Sequence, residues 1–246
     1  MSPTAPPALR LGMLTPSSNT VLEPLTAAML AGLPDVTAHF ARFPVTQISL
    51  DESALGQFDP GPMLAAADLL ADARVDVICW NGTSSGWLGF GSDHALCEAI
   101  EARTGIPAAS AVLALNEALS LTGARRIAFV TPYLDEIQER ILATYAGAGF
   151  EVVAERHLQD RGNYSFSTYS EARIADLCRE VAAAGPEAIA VFCTNFRGAG
   201  IAEAVEAETG IPVYDTVSTA LWGAMRRAGG DPARIRGWGR LFGHVG

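Results

Sequence analysis

Two copies of Thr-Gly-Ile-Pro, at Thr104 to Pro107 and Thr209 to Pro212, split the chain into halves that repeat one pattern. Each half shows an apolar strand, then Thr-Pro and a helix. Later comes a buried strand ending in a small polar loop, then a helix closed by TGIP. Thr15-Pro16 answers Thr131-Pro132, the loop at Gly82 answers Cys193, and Pro107 answers Pro212. Three landmarks recurring in one order mark a duplicated unit. Strands alternating with helices imply parallel sheets. The expected fold is therefore α/β: two pseudo-symmetric Rossmann-like lobes with parallel four-stranded sheets and the active site in the cleft between them. The first lobe is expected over 8–118, with a C-terminal helix able to cross over. The second is expected over 119–228, with a tail, 229–246, packing on the first lobe.

The segment Ile189 to Gly198, IAVFCTNFRG, is the strongest local signal. An apolar run suited to a strand buried on both faces stops at Cys193, and Thr194, Asn195 and Arg197 follow before a glycine. Open α/β sheets build their ligand sites at such carboxyl ends. A cysteine there, beside free backbone N–H groups and a helix start, can move one proton. The competing reading is a core cysteine that ends a strand.

Further strands are expected at Leu11 to Leu14, Val36 to Phe43, Val75 to Trp80, Arg126 to Val130 and Phe150 to Ala154. Helices are expected at Met63 to Arg74, Asp93 to Arg103, Val112 to Leu121, Thr131 to Gly147, Ser170 to Ala184, Glu203 to Glu208 and Ala220 to Arg227. Asn19 or Thr20 can cap a helix containing Glu23. Pro44 to Pro60 reads as an irregular loop that could cover a site, and His157 to Thr168 as a second loop, carrying Asn163.

Composition removes whole classes of function. The 246 residues contain no lysine; all 17 basic side chains are arginine. Schiff-base chemistry, lysine-bound pyridoxal phosphate and a Walker P-loop are excluded, and no GxGxxG follows a strand. No cofactor is expected. Cys79, Cys97, Cys178 and Cys193 lack disulfide spacing. His94, Cys97 and Cys79 do not make a metal-ligand pattern, so no metal is expected. A net charge of −10 without a basic run argues against nucleic acid. No apolar stretch is long enough for a bilayer, so no membrane partner is expected. The opening MSPTAPPALR lacks a signal-peptide core and reads as a short disordered tail, giving a cytoplasmic expectation.

Four polar clusters follow strands: TPSSN near Asn19, GTSS at Gly82 to Ser85, TPY at Tyr133, and CTN at Cys193 to Asn195. Hydroxyls, amides, a phenol and backbone N–H groups form a neutral donor set. Such a set binds a carboxylate and stabilises an enediolate. Each cluster alone is what turns and caps use anyway; convergence with a cysteine gives them a chemical meaning. No sequence feature places His39, His94, His157 or His244 beside Cys193 as a base. Trp80, Trp87, Phe90 and Phe196 read as core or cleft wall.

The duplicated lobes, TPSSN, TPYLDEIQER and FCTN resemble the aspartate/glutamate racemase superfamily over nearly the whole chain. The resemblance is closest to the branch of arylmalonate decarboxylase and maleate cis–trans isomerase. It implies cofactor-independent chemistry on a small carboxylic or dicarboxylic acid by a monomer or small homo-oligomer. Racemases and isomerases of this kind carry one cysteine per lobe, whereas the decarboxylase has glycine at the first position. Gly82 with Thr83 and Ser84 resembles the decarboxylase segment, Tyr133 its oxyanion-binding tyrosine, and Cys193 its proton donor. Asn19, Asn163, Thr194 and Asn195 instead resemble carboxylate-binding positions of maleate isomerase. The leading expectation is a substituted-malonate decarboxylase working through an enediolate protonated by Cys193. The alternatives are maleate isomerisation or Asp/Glu-type racemisation, and a non-catalytic small-acid binding protein.

Overall fold

The computed structural model describes residues 9–45 and 60–244. Most of the loop expected from Pro44 to Pro60, and residues 1–8 of the expected tail, lie outside them. Leu9 and Arg10, expected in that tail, already belong to β1 (Leu9–Pro16). β1 is followed by α1 (Leu22–Leu30), β2 (Val36–Phe43), α2 (Pro60–Asp72), β3 (Val77–Trp80), α3 (Ser85–Leu88), α4 (Gly91–Thr104), β4 (Ala108–Ser110) and α5 (Ala111–Leu121). The second half has β5 (Arg126–Thr131), α6 (Asp135–Gly147), β6 (Glu151–His157), α7 (Glu171–Ala182), β7 (Ala188–Val191), α8 (Ala202–Thr209), β8 (Val213–Asp215) and α9 (Thr216–Arg227). A short α10 (Leu241–His244) follows. Among the described residues every strand pairing is parallel, with orders β2-β1-β3-β4 and β6-β5-β7-β8. The two four-stranded sheets are the duplicated units. Among the described residues no helix is long and apolar enough to cross a membrane.

The central strands explain their own sequences. VICW of β3 and AIAV of β7 are buried at every position, as strands covered by helices on both faces must be. The repeated TGIP also has a local cause. Gly105 and Gly210 close α4 and α8 in the left-handed conformation, φ 71° and 75°, which glycine adopts without Cβ strain. The threonine hydroxyls bond back to Ile100 and Val205 carbonyls at 2.8 and 2.7 Å. Glu101 and Glu206 accept from the N–H of Ala108 and Val213, both at 2.8 Å. Helix end and edge strand are thus stapled identically in both lobes. The strands that follow, β4 and β8, are only three residues long, too short to show periodicity in the sequence.

α9 begins at Thr216, earlier than the expected Ala220, because Asp215 caps it: Oδ1 accepts from Val217 N at 2.8 Å and Ser218 N at 3.3 Å. From the second sheet α9 runs onto β3, β4 and α5 of the first. Thr219 donates to Ala111 O at 2.9 Å, and Cys79, fully buried on β3, points its thiol at Ala220 O, 3.6 Å away. Beyond it, Arg234 pairs with Asp35 of the first half at 2.6 Å. Arg240 N donates to Glu206 of α8 at 2.8 Å.

At the crossing, a Cβ on Gly223 would lie 2.5 Å from the Ala114 Cβ. The two backbones therefore touch without room for another side chain. Gly223→Leu should destabilise the protein by about 1–3 kcal/mol through overpacking, read as a lower urea midpoint. An unchanged midpoint would show that α9 and α5 do not pack this way.

Candidate active site

The strand ends set the geometry. β3 and β7 stop in equivalent register, Trp80 opposite Ser110 and Val191 opposite Asp215. Two residues further on stand Gly82 and Cys193, the same position in each lobe. Both line one small cavity of about 30 Å³. Thr83, Ser84, Tyr133, Asn163, Thr194 and Asn195 line it as well, with Trp80 and Trp87 among its aromatic walls. Asn19 is not among the lining residues; it lies just behind.

The asparagines are committed to the protein itself. Asn19 Oδ1 accepts from Val21 N and Leu22 N at 2.9 Å, capping α1. Its amide nitrogen donates to Thr194 O at 3.0 Å. Thr20 N donates to Asn195 Oδ1 at 3.0 Å, and Asn195 Nδ2 donates to Asn163 O at 2.6 Å. Thr194 Oγ1 donates to Asn81 O at 3.0 Å, and Asn163 Nδ2 to Val45 O at 3.2 Å. The expected carboxylate donors therefore form a clamp between the lobes. Thr83, Ser84, Tyr133 and Cys193 line the cavity beside them.

Thr83 and Tyr133 join across the cleft through their hydroxyls at 2.6 Å. Tyr133 is held edge-on between Trp87 and Phe166, with ring centroids 5.4 and 5.5 Å away. Burial, then the neighbouring Cys193, keep its phenol well above the usual range, so it stays a neutral donor. Cys193 is itself 3% exposed. Burial pushes its thiol up to about 12, although the Tyr133 hydroxyl and the Asn195 N–H beside it pull the other way. The sulfur therefore carries a proton at neutral pH. The helix start expected beside Cys193 is absent. A turn closed by Phe196 N to Cys193 O at 3.2 Å follows it, and α8 starts only at Ala202. The first-lobe loop is the one that enters a helical turn at once, α3.

Gly82 owes its identity to a neighbour. A Cβ built on it would overlap the six-membered ring of the Trp80 indole. Trp80 packs in turn on Phe43, centroids 5.3 Å apart. A tryptophan two residues before a glycine is the sequence sign of this packing, which the reading of Trp80 as generic wall did not use. α3 meets the second lobe closely too: a Cβ on Gly86 would fall 2.6 Å from the Phe192 ring. His39, His94 and His157 do not line the cavity. Among the described residues no three His, Cys, Asp or Glu side chains group as metal ligands.

Known proteins are similar to this chain. A family model described as arylmalonate decarboxylase matches residues 28–242. The chain is similar to arylmalonate decarboxylase of Bordetella bronchiseptica, 31% identical over 169 residues, covering 68% of this chain and 70% of that protein. It is also similar to maleate isomerase of Pseudomonas putida, 29% identical over 231 residues, 89% of this chain and 91% of the other. The crystal structure of the maleate isomerase Iso from Pseudomonas putida S16 superposes with a TM-score of 0.88 at 24% identity, over 97% of this chain and 99% of that one, a likeness of fold. By its sequence and its two-lobed architecture, the chain belongs to the arylmalonate decarboxylase family.

Proposed function

We propose that this enzyme decarboxylates a substituted malonate without a cofactor. The observation that carries this reading is the asymmetry of the cleft: a thiol at 193 faces a glycine at the equivalent position, 82. One carboxylate is held by the Thr83, Ser84 and Tyr133 hydroxyls and the backbone N–H groups after Cys193. The second carboxylate leaves as CO2, and the electrons of the broken C–C bond spread into an enediolate. Neutral donors stabilise that charge as it develops. Cys193 then passes its proton to the α-carbon from one side, giving a single enantiomer of the monoacid, and water reprotonates the thiolate.

Maleate-type isomerisation is the second reading. It is favoured by the longer match to the Pseudomonas putida maleate isomerase, 89% of this chain. That chemistry calls for a reactive group on the first-lobe side, where Gly82 offers none, and burial of Cys193 works against a thiolate on the other. Assays for CO2 release and for double-bond isomerisation across small diacids separate the two readings.

Cys193→Ala should lower kcat for decarboxylation by about 100-fold or more, the scale of a lost positioned acid, with the circular dichroism spectrum unchanged. Near-normal turnover in the folded variant would remove Cys193 from the reaction.

The pH dependence follows from the direction of its shift. The active form is protonated, so the rate falls only as pH rises through the folded-state pKa, here about 12. Between pH 7 and 10 the alkaline limb of kcat should be flat. A rate rising about tenfold per pH unit in that range marks a thiolate nucleophile instead.

Gly82→Cys alone should fold poorly because of the Trp80 indole. Pairing it with Trp80→Val reproduces the Val191-x-Cys193 pattern of the second lobe and opens the space. The double variant should gain α-deuterium exchange and racemise an α-substituted monoacid. A folded double variant with no exchange would mean that position 82 does not reach the α-carbon.

A further inference from the structure

Gly198 ends the turn that carries Cys193, and it has no room for a side chain. A Cβ built there would lie 2.5 Å from both the Val191 Cγ1 and the Asp215 Oδ2. Val191 and Asp215 are register partners at the ends of β7 and β8. The turn therefore folds back over its own strand and closes on the Asp215 carboxyl. With φ −81° at Gly198, the reason for glycine is space rather than backbone angle.

Asp215 is fully buried. Burial pushes its carboxyl up to about 8, although the N–H groups of Ser218, Val217 and Gly198 pull the other way. Two of these groups open α9 and the third belongs to the turn, so one side chain ties both together. α9 is in turn fixed to the first lobe through Thr219 and Ala111. Burying a carboxyl is costly, and a cap alone does not call for one. Ser110, at the equivalent register position, caps α5 with a hydroxyl that accepts from Leu113 N at 3.0 Å. There a second residue makes the tie: Asp93 on α4 takes hydrogen bonds from Ser110 and from Ser85, in the helical turn after Gly82. Each lobe thus links its strand-end loop to the helix after its edge strand through a buried carboxyl.

On the decarboxylase reading, we propose that Asp215 is a positioning residue for proton delivery, holding the 193–198 turn against α9 so that the Cys193 thiol meets one face of the enediolate. It acts through Gly198 and not on the substrate. The first lobe holds the other side of the turn, Asn19 bonding to Thr194 and Thr20 to Asn195. Losing the Asp215 side lets the thiol shift, and a misplacement of about 1 Å can cost about 100-fold in rate.

Asp215→Ser keeps a cap of the Ser110 kind and removes the tie to the turn. Turnover is read with 2-methyl-2-phenylmalonate, whose decarboxylation creates a stereocentre. kcat should fall about tenfold or more with KM unchanged, and enantiomeric purity should fall as water competes with the misplaced thiol. Gly198→Ala pushes the turn off the carboxyl from the other side and should give the same pattern. It carries the test if Asp215→Ser does not fold. Alkylation of the resting enzyme by iodoacetamide, followed residue by residue with mass spectrometry, is independent of turnover. Cys193 should label faster in the variants, while Cys79, buried on β3 of the first lobe, stays as protected as in the wild type. Absence of CO2 from the wild type together with this selective labelling overturns the decarboxylase reading and leaves the positioning role standing. Unchanged enantiomeric purity and unchanged Cys193 labelling overturn the role, whatever kcat does. Equal acceleration at Cys79, or failure of both variants to fold, overturns it too, because Asp215 then supports the whole fold and not the turn.

Discussion

Hydrogen bonds that cross between the lobes at the carboxyl ends of the sheets hold the cleft together. Asn19 reaches Thr194, Thr20 reaches Asn195, Thr194 reaches Asn81, and Thr83 meets Tyr133. Each is worth about 1 kcal/mol net when made, but leaving its buried groups unpaired costs more. The clamp therefore acts as a set: opening one contact exposes the others to loss. It holds Cys193 and Gly82 at the walls of one cavity.

Inside that frame the electrostatics are almost entirely neutral. Hydroxyls and backbone N–H groups face the cavity, while Arg42 and Glu23 pair at an exposed position. A neutral, dry donor set favours negative charge that appears on a bound acid during reaction more than an acid already paired with a cation. Burial raises both Tyr133 and Cys193, so two proton-bearing groups adjoin one small space.

Duplication made the two halves alike, and the differences between equivalent positions carry the specialisation. Trp80 stands where the second lobe has Val191, and Gly82 where it has Cys193. These two differences are one packing event, because the indole occupies the space a side chain at 82 would need. The TGIP staples, by contrast, stayed the same in hydrogen bonding and backbone angle. They hold edge strands in place and do not face the cleft.

The sequence by itself determined the architecture: two parallel-sheet lobes, the strand ends that face each other, and the pairing of Gly82 with Cys193. These follow from periodicity, turn chemistry and an internal repeat, all local or order-preserving signals. The short strands β4 and β8, the true start of α9 and the helical turn after Ser84 escaped it, because three or four residues carry no period. Only the tertiary structure decided which polar residues are free. Asn19, Asn163, Thr194 and Asn195 read as donors for a ligand, and the structure also gives each a hydrogen bond within the protein, to partners up to 175 positions away. Hydrogen-bond capacity is a property of a residue type, but its availability depends on what long-range folding brings beside it. The same holds for Tyr133, whose hydroxyl finds Thr83 fifty positions away in the other lobe.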